Sequence, residues 1–381
     1  MSAAAGVVMY DAIVIGVGGM GSAALYHLAS RGARVLGLEQ FSIPHERGSS
    51  HGLTRIIRLA YWEHSSYVPL LRRAYALWRD LERATGEQLL VVTGSIDAAA
   101  TDTRQIAGVL DACARFDLPH ERFTGRSLSA RFPGYRLPDD VVAVYQPDGG
   151  ILLSERCIVT HATLARRAGA DVRTGERVLE WTDTTSGFEV RTTVDRYLAR
   201  RLVFTLGAWT GKLLSPLNSL LEVERQVVLW TEPVRPELFT VQTFPVFYIH
   251  VAEGSFYGFP VHAGSGFKIG KYHHLGQIVD PDAEPLRIDD QDESVLRGAI
   301  SRYFPDANGS TLDAKTCLFT NTSDEHFVIG QLPGSASVCY AGGFSGHGYK
   351  FCSVVGEILA DLALNNGTDK DISLFDPSRL D

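Results

Sequence analysis

The stretch "AIVIGVGGMGSAALYHLASRGARVLGLE", residues 12–39, decides the fold. Its first four residues are apolar and mostly β-branched, the pattern of a strand buried on both faces. They run into "GVGGMG" (16–21), which fits G-x-G-x-x-G through Gly16, Gly18 and Gly21, with Gly19 and Met20 between the last two. A helix-forming run follows, Gly32 is placed to end it, and "ARVLGLE" (33–39) reads as a second strand closing on Glu39. Each part has a physical task. Gly16 permits a tight turn, Gly18 lets a pyrophosphate reach the backbone, and Gly21 lets helix and strand pack closely. The helix N-terminus offers unpaired N–H groups and partial positive charge to that pyrophosphate. Glu39 is placed to hydrogen-bond ribose hydroxyls. The stretch reads as an adenine dinucleotide site, against the alternative of a glycine turn that serves only the fold.

A second glycine-bearing loop, "ERGSSHGLTRIIR" (46–58), follows almost at once, where a nicotinamide dehydrogenase would continue its βαβ repeat; this favours FAD. Beyond it, "SYVPLLRRAYALWRDLE" (66–82) reads as an amphipathic helix with Tyr67, Leu70, Leu71, Ala74, Leu77, Trp78 and Leu81 on one face. The same strand–glycine–helix style returns in "ARRLVFTLGAWTGKLL" (199–214) and in "SVCYAGGFSGHG" (337–348) with the apolar helix after it. Between these units, "RQVVLWTEP" (225–233) and "GSFYGFPVHAGSGFKIGKYH" (254–273) look like antiparallel strands. The expected fold class is α/β plus β: a Rossmann-like FAD-binding domain interleaved with an antiparallel-sheet substrate domain. The expected division is 1–88, 149–220 and 320–381 for the first and 89–148 and 221–319 for the second, with a ligand cleft between them.

Composition narrows the class. The chain has 381 residues, 45% apolar and 21% charged, an ordinary globular balance. A net charge of −8 argues against nucleic acid or an anionic membrane as partner. No apolar run approaches the ~20 residues needed to span a bilayer, and the N-terminus has no basic region of a signal peptide. Five cysteines without a C-x-x-C suit a reducing cytoplasm, the expected location. Twelve histidines show no H-E-x-x-H, so no metal is expected. "GSS" in the second loop is no nucleophile elbow.

Taken in order, "GVGGMG", "GSSHGLTRIIR", "SGFKIG" (265–270), "KTCLFTNTSDEHF" (315–327) and "GGFSGHGYKF" (342–351) resemble the monomeric sarcosine oxidase and N-methyltryptophan oxidase family over nearly the whole chain. The resemblance implies covalent FAD joined through its 8α-methyl carbon to Cys317. A thiolate is the nucleophile such a link requires, and Lys315 with the polar residues after Cys317 is compatible with a site that supports one. Cys113, Cys157, Cys339 and Cys352 are expected to be structural.

The resemblance also implies the site. Arg58 and Lys350 match a pair that binds the substrate carboxylate; arginine offers two parallel hydrogen bonds and lysine a point charge. Arg55 matches an arginine lying against the flavin, and His347 sits in the glycine loop before the last helix, whose N–H groups could stabilise charge. Lys268 is implied to lie over the flavin and assist oxygen, because an ammonium stabilises superoxide. A solvent-facing lysine on a strand is the alternative. Cofactor contacts are expected from Gly16, Gly18, Gly19, Met20, Gly21, Glu39, Gln40, His45, Ser49, Ser50, Thr54, Arg55 and Ile56. Later in the chain they are expected from Val178, Gly207, Trp209, Cys317, Gly346, His347, Gly348 and Lys350. Substrate contacts are expected from Arg58, Lys350, Tyr248, Tyr257, His273, Phe319 and Lys271. His51, Tyr61, Glu63 and Thr320 also match family positions.

Three departures bear on substrate. Phe319 stands where sarcosine oxidases carry tyrosine, Tyr248 where they carry methionine, and "KIGKYHH" holds an extra residue that adds Lys271 near His273. With His250 and His262 in the same region, an iminodiacetate-like diacid stands beside a small N-methyl amino acid as candidate substrate. The expected enzyme is an FAD-dependent secondary-amine oxidase, monomeric or a small homo-oligomer. It would take a small secondary amino acid to an imine that water hydrolyses, with O2 reduced to H2O2. A flavin amine dehydrogenase using another acceptor and a non-catalytic flavin-binding sensor are the alternatives.

Overall fold

A computed structural model of the chain describes residues 8–283 and 287–380. The opening stretch forms a fully buried strand, Ala12–Ile15, then the helix Gly19–Ser30 and the strand Val35–Glu39. These strands lie within a six-stranded sheet whose order is Asp171–Thr174, Val35–Glu39, Ala12–Ile15, Leu202–Phe204, Ser335–Gly342 and Val328–Leu332. The first five run parallel and the last antiparallel. Early, middle and late segments thus meet in one sheet. The helix Gly19–Ser30 packs between Ser154–Arg167 and Cys352–Asn365. Gly356 lets the last helix approach closely, since a Cβ there would stand 2.5 Å from the Ala23 backbone. A hairpin sheet of Val178–Thr184, Gly187–Thr192 and Arg196–Ala199, edged by Met9–Tyr10, covers one side.

The second large sheet has eight strands in the order Thr311–Asn321, Glu222–Thr231, Phe267–Lys271, Gly254–Phe259, Val246–Val251, Ser95–Ala100, Val141–Gln146 and Glu121–Thr124. All neighbours are antiparallel except Val246–Val251 with Ser95–Ala100. Its two faces have different chemistry. One carries Val227, Leu229, Phe247, Phe256, Phe267 and Ile269 into an aromatic-rich core with the helix Asp290–Tyr303. The other carries Asp97, Tyr248, Tyr257, Lys268 and Cys317. Residues opposite one another across strands share a face, and the pairs Tyr248↔Asp97, Tyr248↔Tyr257, Gly270↔Tyr257, Lys268↔Trp230 and Cys317↔Gln226 connect them. A small sheet, Thr54–Ile57, Gly150–Leu153 and Leu90–Val92, joins the two large ones.

The helix Tyr67–Thr85 buries Tyr67, Leu70, Leu71, Ala74, Trp78 and Leu81 as expected, with Leu77 at its margin. The helix expected after Gly207 is shorter than its sequence suggested. A 3-10 turn, Gly207–Trp209, leads into only Thr210–Leu213. Pro216 then opens another 3-10 turn; proline cannot donate to a continuing helix, and the residue before it avoids the helical region. Among the described residues no helix is long and apolar enough to cross a membrane.

Candidate active site

The glycine motif acts as its spacing suggested. Gly16 has φ +89°, and a Cβ on it would stand 2.5 Å from the Thr205 carbonyl oxygen. A Cβ on Gly21 would stand 1.8 Å from the Gly16 carbonyl oxygen, so helix and turn touch backbone to backbone. Gly18 differs: nothing lies within 4 Å of where its Cβ would be. That open space belongs to a cleft of about 280 Å³ that runs past Gly16, Gly18, Gly19, Met20 and Glu39. At the far end of the second strand, Glu39 accepts the Val17 N–H at 2.8 Å and the Phe41 N–H at 3.0 Å, holding the turn and the strand end together.

Of the other expected cofactor residues, Gln40, His45, Ser49, Ser50, Arg55, Val178, Gly207, Trp209, Gly346 and Gly348 line the same cleft, as does Phe319. Gly21, Thr54, Ile56, Cys317, His347 and Lys350 are not among the residues that line it. Sequence reading missed Thr205, Glu176, Arg177 and Tyr349, which also line it. Their chemistry gives no local motif, and only the sheet order brings them there. Thr320 lines the cleft with a buried Oγ1 that has no hydrogen-bond partner. An open cradle at Gly18, an acidic strand end and a partnerless hydroxyl fit FAD: Gly18 would receive its pyrophosphate, and Arg55 and Phe319 would border its flavin.

Lys268 is not solvent-facing. It is 1% exposed, donates to the Gly52 carbonyl at 2.7 Å and the Thr54 carbonyl at 3.0 Å, and lies 4.4 Å from the Phe259 ring centre. Burial, helped by Arg55, holds its pKa well below that of an ordinary lysine. Arg55 is fixed by the Thr54 and Ser49 carbonyls at 2.8 and 2.7 Å. Cys317 shares the face of Lys268; burial pushes its thiol pKa up, while Arg55 and Lys268 pull it down. The expected helper, Lys315, is engaged by Glu46 instead. Its strand's edge position leaves its head in reach of the loop that carries Glu46.

Arg58 and Lys350 converge on Tyr61, at 4.5 and 5.2 Å from its ring centre. Arg58 donates through Nη2 to both Glu63 carboxylate oxygens, at 3.0 and 3.1 Å, and its Nε lies 3.7 Å from Asp97 Oδ1. Burial disfavours its charge, yet Asp97 and Glu63 outweigh that and raise its pKa. Lys350 donates to the His347 carbonyl at 2.6 Å, and burial beside Arg58 brings its pKa down to about 7. Asp97 is the counterpart: burial pushes its carboxyl up to about 6.

His347 does not face the cleft. Its Nε2–H donates to the Glu325 carbonyl at 2.9 Å, so Nδ1 accepts from the Tyr61 hydroxyl at 2.6 Å. Burial lowers its pKa to about 4, which keeps it neutral. Its backbone N–H is spent on Phe344, and the last α-helix begins only at Cys352, so the expected charge-stabilising helix start lies beyond it. His51 is buried with neither ring nitrogen hydrogen-bonded, and burial lowers its pKa to about 4.

Two substrate expectations need correction. Lys271 lies on the face of Phe267 and Ile269, opposite to Lys268, because side chains alternate along the strand. Its side chain covers Gly254. His273, at φ +57°, is clamped between Glu224 (2.6 Å) and Glu325 (2.9 Å). Hydrogen bonds to these two carboxylates raise its pKa to about 9, so both ring nitrogens carry protons and both are occupied. Tyr248 donates to Ser255 at 3.0 Å, as His250 pairs with the same hydroxyl at 2.8 Å. His262 is half-buried on the loop before Lys268. Tyr257 fits over Gly270, where a Cβ would stand 2.5 Å from its ring. Trp62, Tyr248, Tyr272 and Phe319 follow one another at ring-centre distances of 5.8, 6.4 and 5.3 Å, an aromatic wall that reaches the cleft at Phe319.

A model of the family described as FAD dependent oxidoreductase matches residues 11–362. The chain is 42% identical to a monomeric sarcosine oxidase of Streptomyces avermitilis over 97% of its own length and 98% of the relative's. It is 33% identical to an N-methyl-L-tryptophan oxidase of Salmonella dublin, over 97% and 99%. Among solved structures, the open form of NikD, an amino acid oxidase essential for nikkomycin biosynthesis, superposes with TM-score 0.85 at 27% identity, covering 97% of each chain. With the cleft and its glycine cradle in place, the chain belongs to the FAD-dependent oxidoreductase family, in the group of the sarcosine and N-methyltryptophan oxidases.

Proposed function

We propose that this enzyme oxidises the C–N bond of a small N-methyl amino acid to an imine that water hydrolyses, with O2 as final acceptor and H2O2 as product. Bound FAD supplies the two-electron acceptor. The observation that carries the reading is the convergence of Arg58 and Lys350 on Tyr61. Two buried cations at one ring are a carboxylate-binding arrangement. Glu63 holds the Arg58 fork in place, so an incoming carboxylate shares or displaces that pair. Tyr248, Tyr257 and Phe319 form the apolar wall against the substrate's carbon side. The neutral His347 and its bond to Tyr61 fix the ring between the cations. Lys268, buried on the cofactor side of the sheet, is the group that favours charge on reduced oxygen.

The covalent flavin rests on the place of Cys317 in its motif: its thiol lies on the face of Lys268, and Arg55 and Lys268 offset part of the rise in pKa that burial causes. Acid precipitation tests this. A yellow pellet supports the link and a yellow supernatant refutes it. The diacid reading is the weaker of the two, since Lys271 is on the wrong face and Glu63 and Asp97 already supply two carboxylates to the cluster. Anaerobic addition of sarcosine and of iminodiacetate to the holoenzyme tests the whole reading. Bleaching by sarcosine, with weaker bleaching by the diacid, supports it; no bleaching by any secondary amino acid refutes it and favours a non-catalytic flavoprotein.

A further inference from the structure

The strand Ser95–Ala100 carries a single charge, Asp97, in a run of small and apolar residues. Asp97 is 2% exposed and stands opposite Tyr248 in register, on the face that carries Lys268. Its Oδ1 has no hydrogen-bond partner. The nearby guanidinium does not provide one: Arg58 Nε is 3.7 Å away, beyond hydrogen-bond reach, and the other Arg58 nitrogens go to Glu63 and the Ala60 carbonyl. Tyr248 does not provide one either, because its hydroxyl donates to Ser255. A buried carboxylate oxygen without a donor is costly, and such an atom calls for an explanation such as water or a ligand.

Charge points to which ligand. Arg58 and Lys350 face Glu63 and Asp97, two cations against two carboxylates. An incoming α-carboxylate whose amine binds in the neutral, oxidisable form leaves the cluster one negative charge in excess. A cationic donor on the substrate's side chain would offset that charge and satisfy Oδ1 together.

We propose that Asp97 is a specificity-determining residue: beside Tyr248 it forms a subsite that accepts a hydrogen bond from the substrate's side chain, preferring an ammonium to a hydroxyl and a hydroxyl to a methyl. This rests on the secondary-amino-acid reading above. Three side chains of matched shape test it, as the N-methyl derivatives of 2,4-diaminobutyrate, homoserine and norvaline. Their kcat/KM values are compared in the native enzyme, Asp97→Asn and Asp97→Val. The expected native preference for the ammonium over the methyl is about 10–100-fold. Asp97→Val is expected to erase or reverse it, and Asp97→Asn to keep only the preference for the hydroxyl. A native ratio near one, or the same ratio in all three proteins, overturns the proposal and leaves Oδ1 to a water. A uniform rise in KM for every compound also overturns it, because Asp97 would then only position Arg58. Where Asp97→Val does not fold, the isosteric Asp97→Asn alone decides. If the native enzyme turns over none of the three nor sarcosine, the oxidase reading fails by itself. The compounds are then ranked by Kd from the flavin absorbance of the holoenzyme, and equal values overturn the subsite.

Discussion

Lys268→Met exchanges an ammonium for a thioether of similar length in a site that excludes water. Lys268 is 1% exposed, with Phe259 and Trp230 rings at 4.4 and 5.1 Å. In such surroundings a protonated Lys268 about 4–5 Å from a developing superoxide is worth about 3–4 kcal/mol at an effective dielectric of about 20, an upper bound because burial lowers its pKa. At about 1.4 kcal/mol per decade this corresponds to a loss of roughly 10²–10³-fold in the reaction with oxygen. Folding feels opposing effects. The Gly52 and Thr54 carbonyls lose their donor, at about 1–3 kcal/mol each, while a costly buried charge disappears. The expected net change is therefore small, within about 2 kcal/mol. The assay separates the half-reactions by stopped flow: anaerobic bleaching by sarcosine, then recovery of absorbance on mixing with oxygen. Recovery is expected to slow far more than bleaching. Recovery within about threefold of native would refute the electrostatic reasoning, and equal slowing of both steps would assign Lys268 to holding the Gly52–Thr54 loop.

Gly18→Ala and Gly21→Ala are expected to fail differently. Gly18 has φ −79° and open space at its Cβ, so the variant folds but loses FAD content; Gly21→Ala, with backbone at 1.8 Å, loses stability by more than about 3 kcal/mol in urea unfolding. Equal behaviour of the two would contradict the assigned roles. Lys350, with a pKa near 7, is charged below that pH and neutral above it. Binding of a simple carboxylate such as propionate should therefore weaken above about pH 7, by up to tenfold per unit, and Lys350→Met should remove that dependence in a flavin-absorbance titration. His27 and His161 are buried between helices, and burial lowers their pKa values to about 4 and 3. The unfolded chain takes up these protons first as pH falls from about 6.5, so stability should drop through that window, by up to about 2.7 kcal/mol per pH unit for two protons. His161→Phe should flatten the slope of Tm against pH there, and an unchanged slope would sink the argument.

The cofactor half of the site is legible because its chemistry is local. A turn at Gly16, an approach at Gly18 and a contact at Gly21 are properties of six consecutive residues, and Glu39 follows from the length of one helix and one strand. The substrate half is not local. Asp97, Tyr248, Lys268 and Cys317 meet only through strand order and register. One signal was available: a lone aspartate in "SIDAAA" (95–100) marks a buried charge in a strand. Lys271 shows the reverse. Its place near His273 in sequence suggested an extra basic group in the pocket, but alternation along the strand sends it to the other face.

By itself the sequence determined the dinucleotide cradle, the family and the pair of cations, since short motifs carry their own geometry. Only the tertiary structure decided what those groups touch. Glu63 occupies Arg58, Glu46 takes Lys315, and two glutamates hold His273 charged. The Arg58–Glu63 pair closes within one short loop, whereas Lys315 and His273 meet partners from distant segments, brought to them by which strands pair and in what register, choices made by burial of the whole sheet.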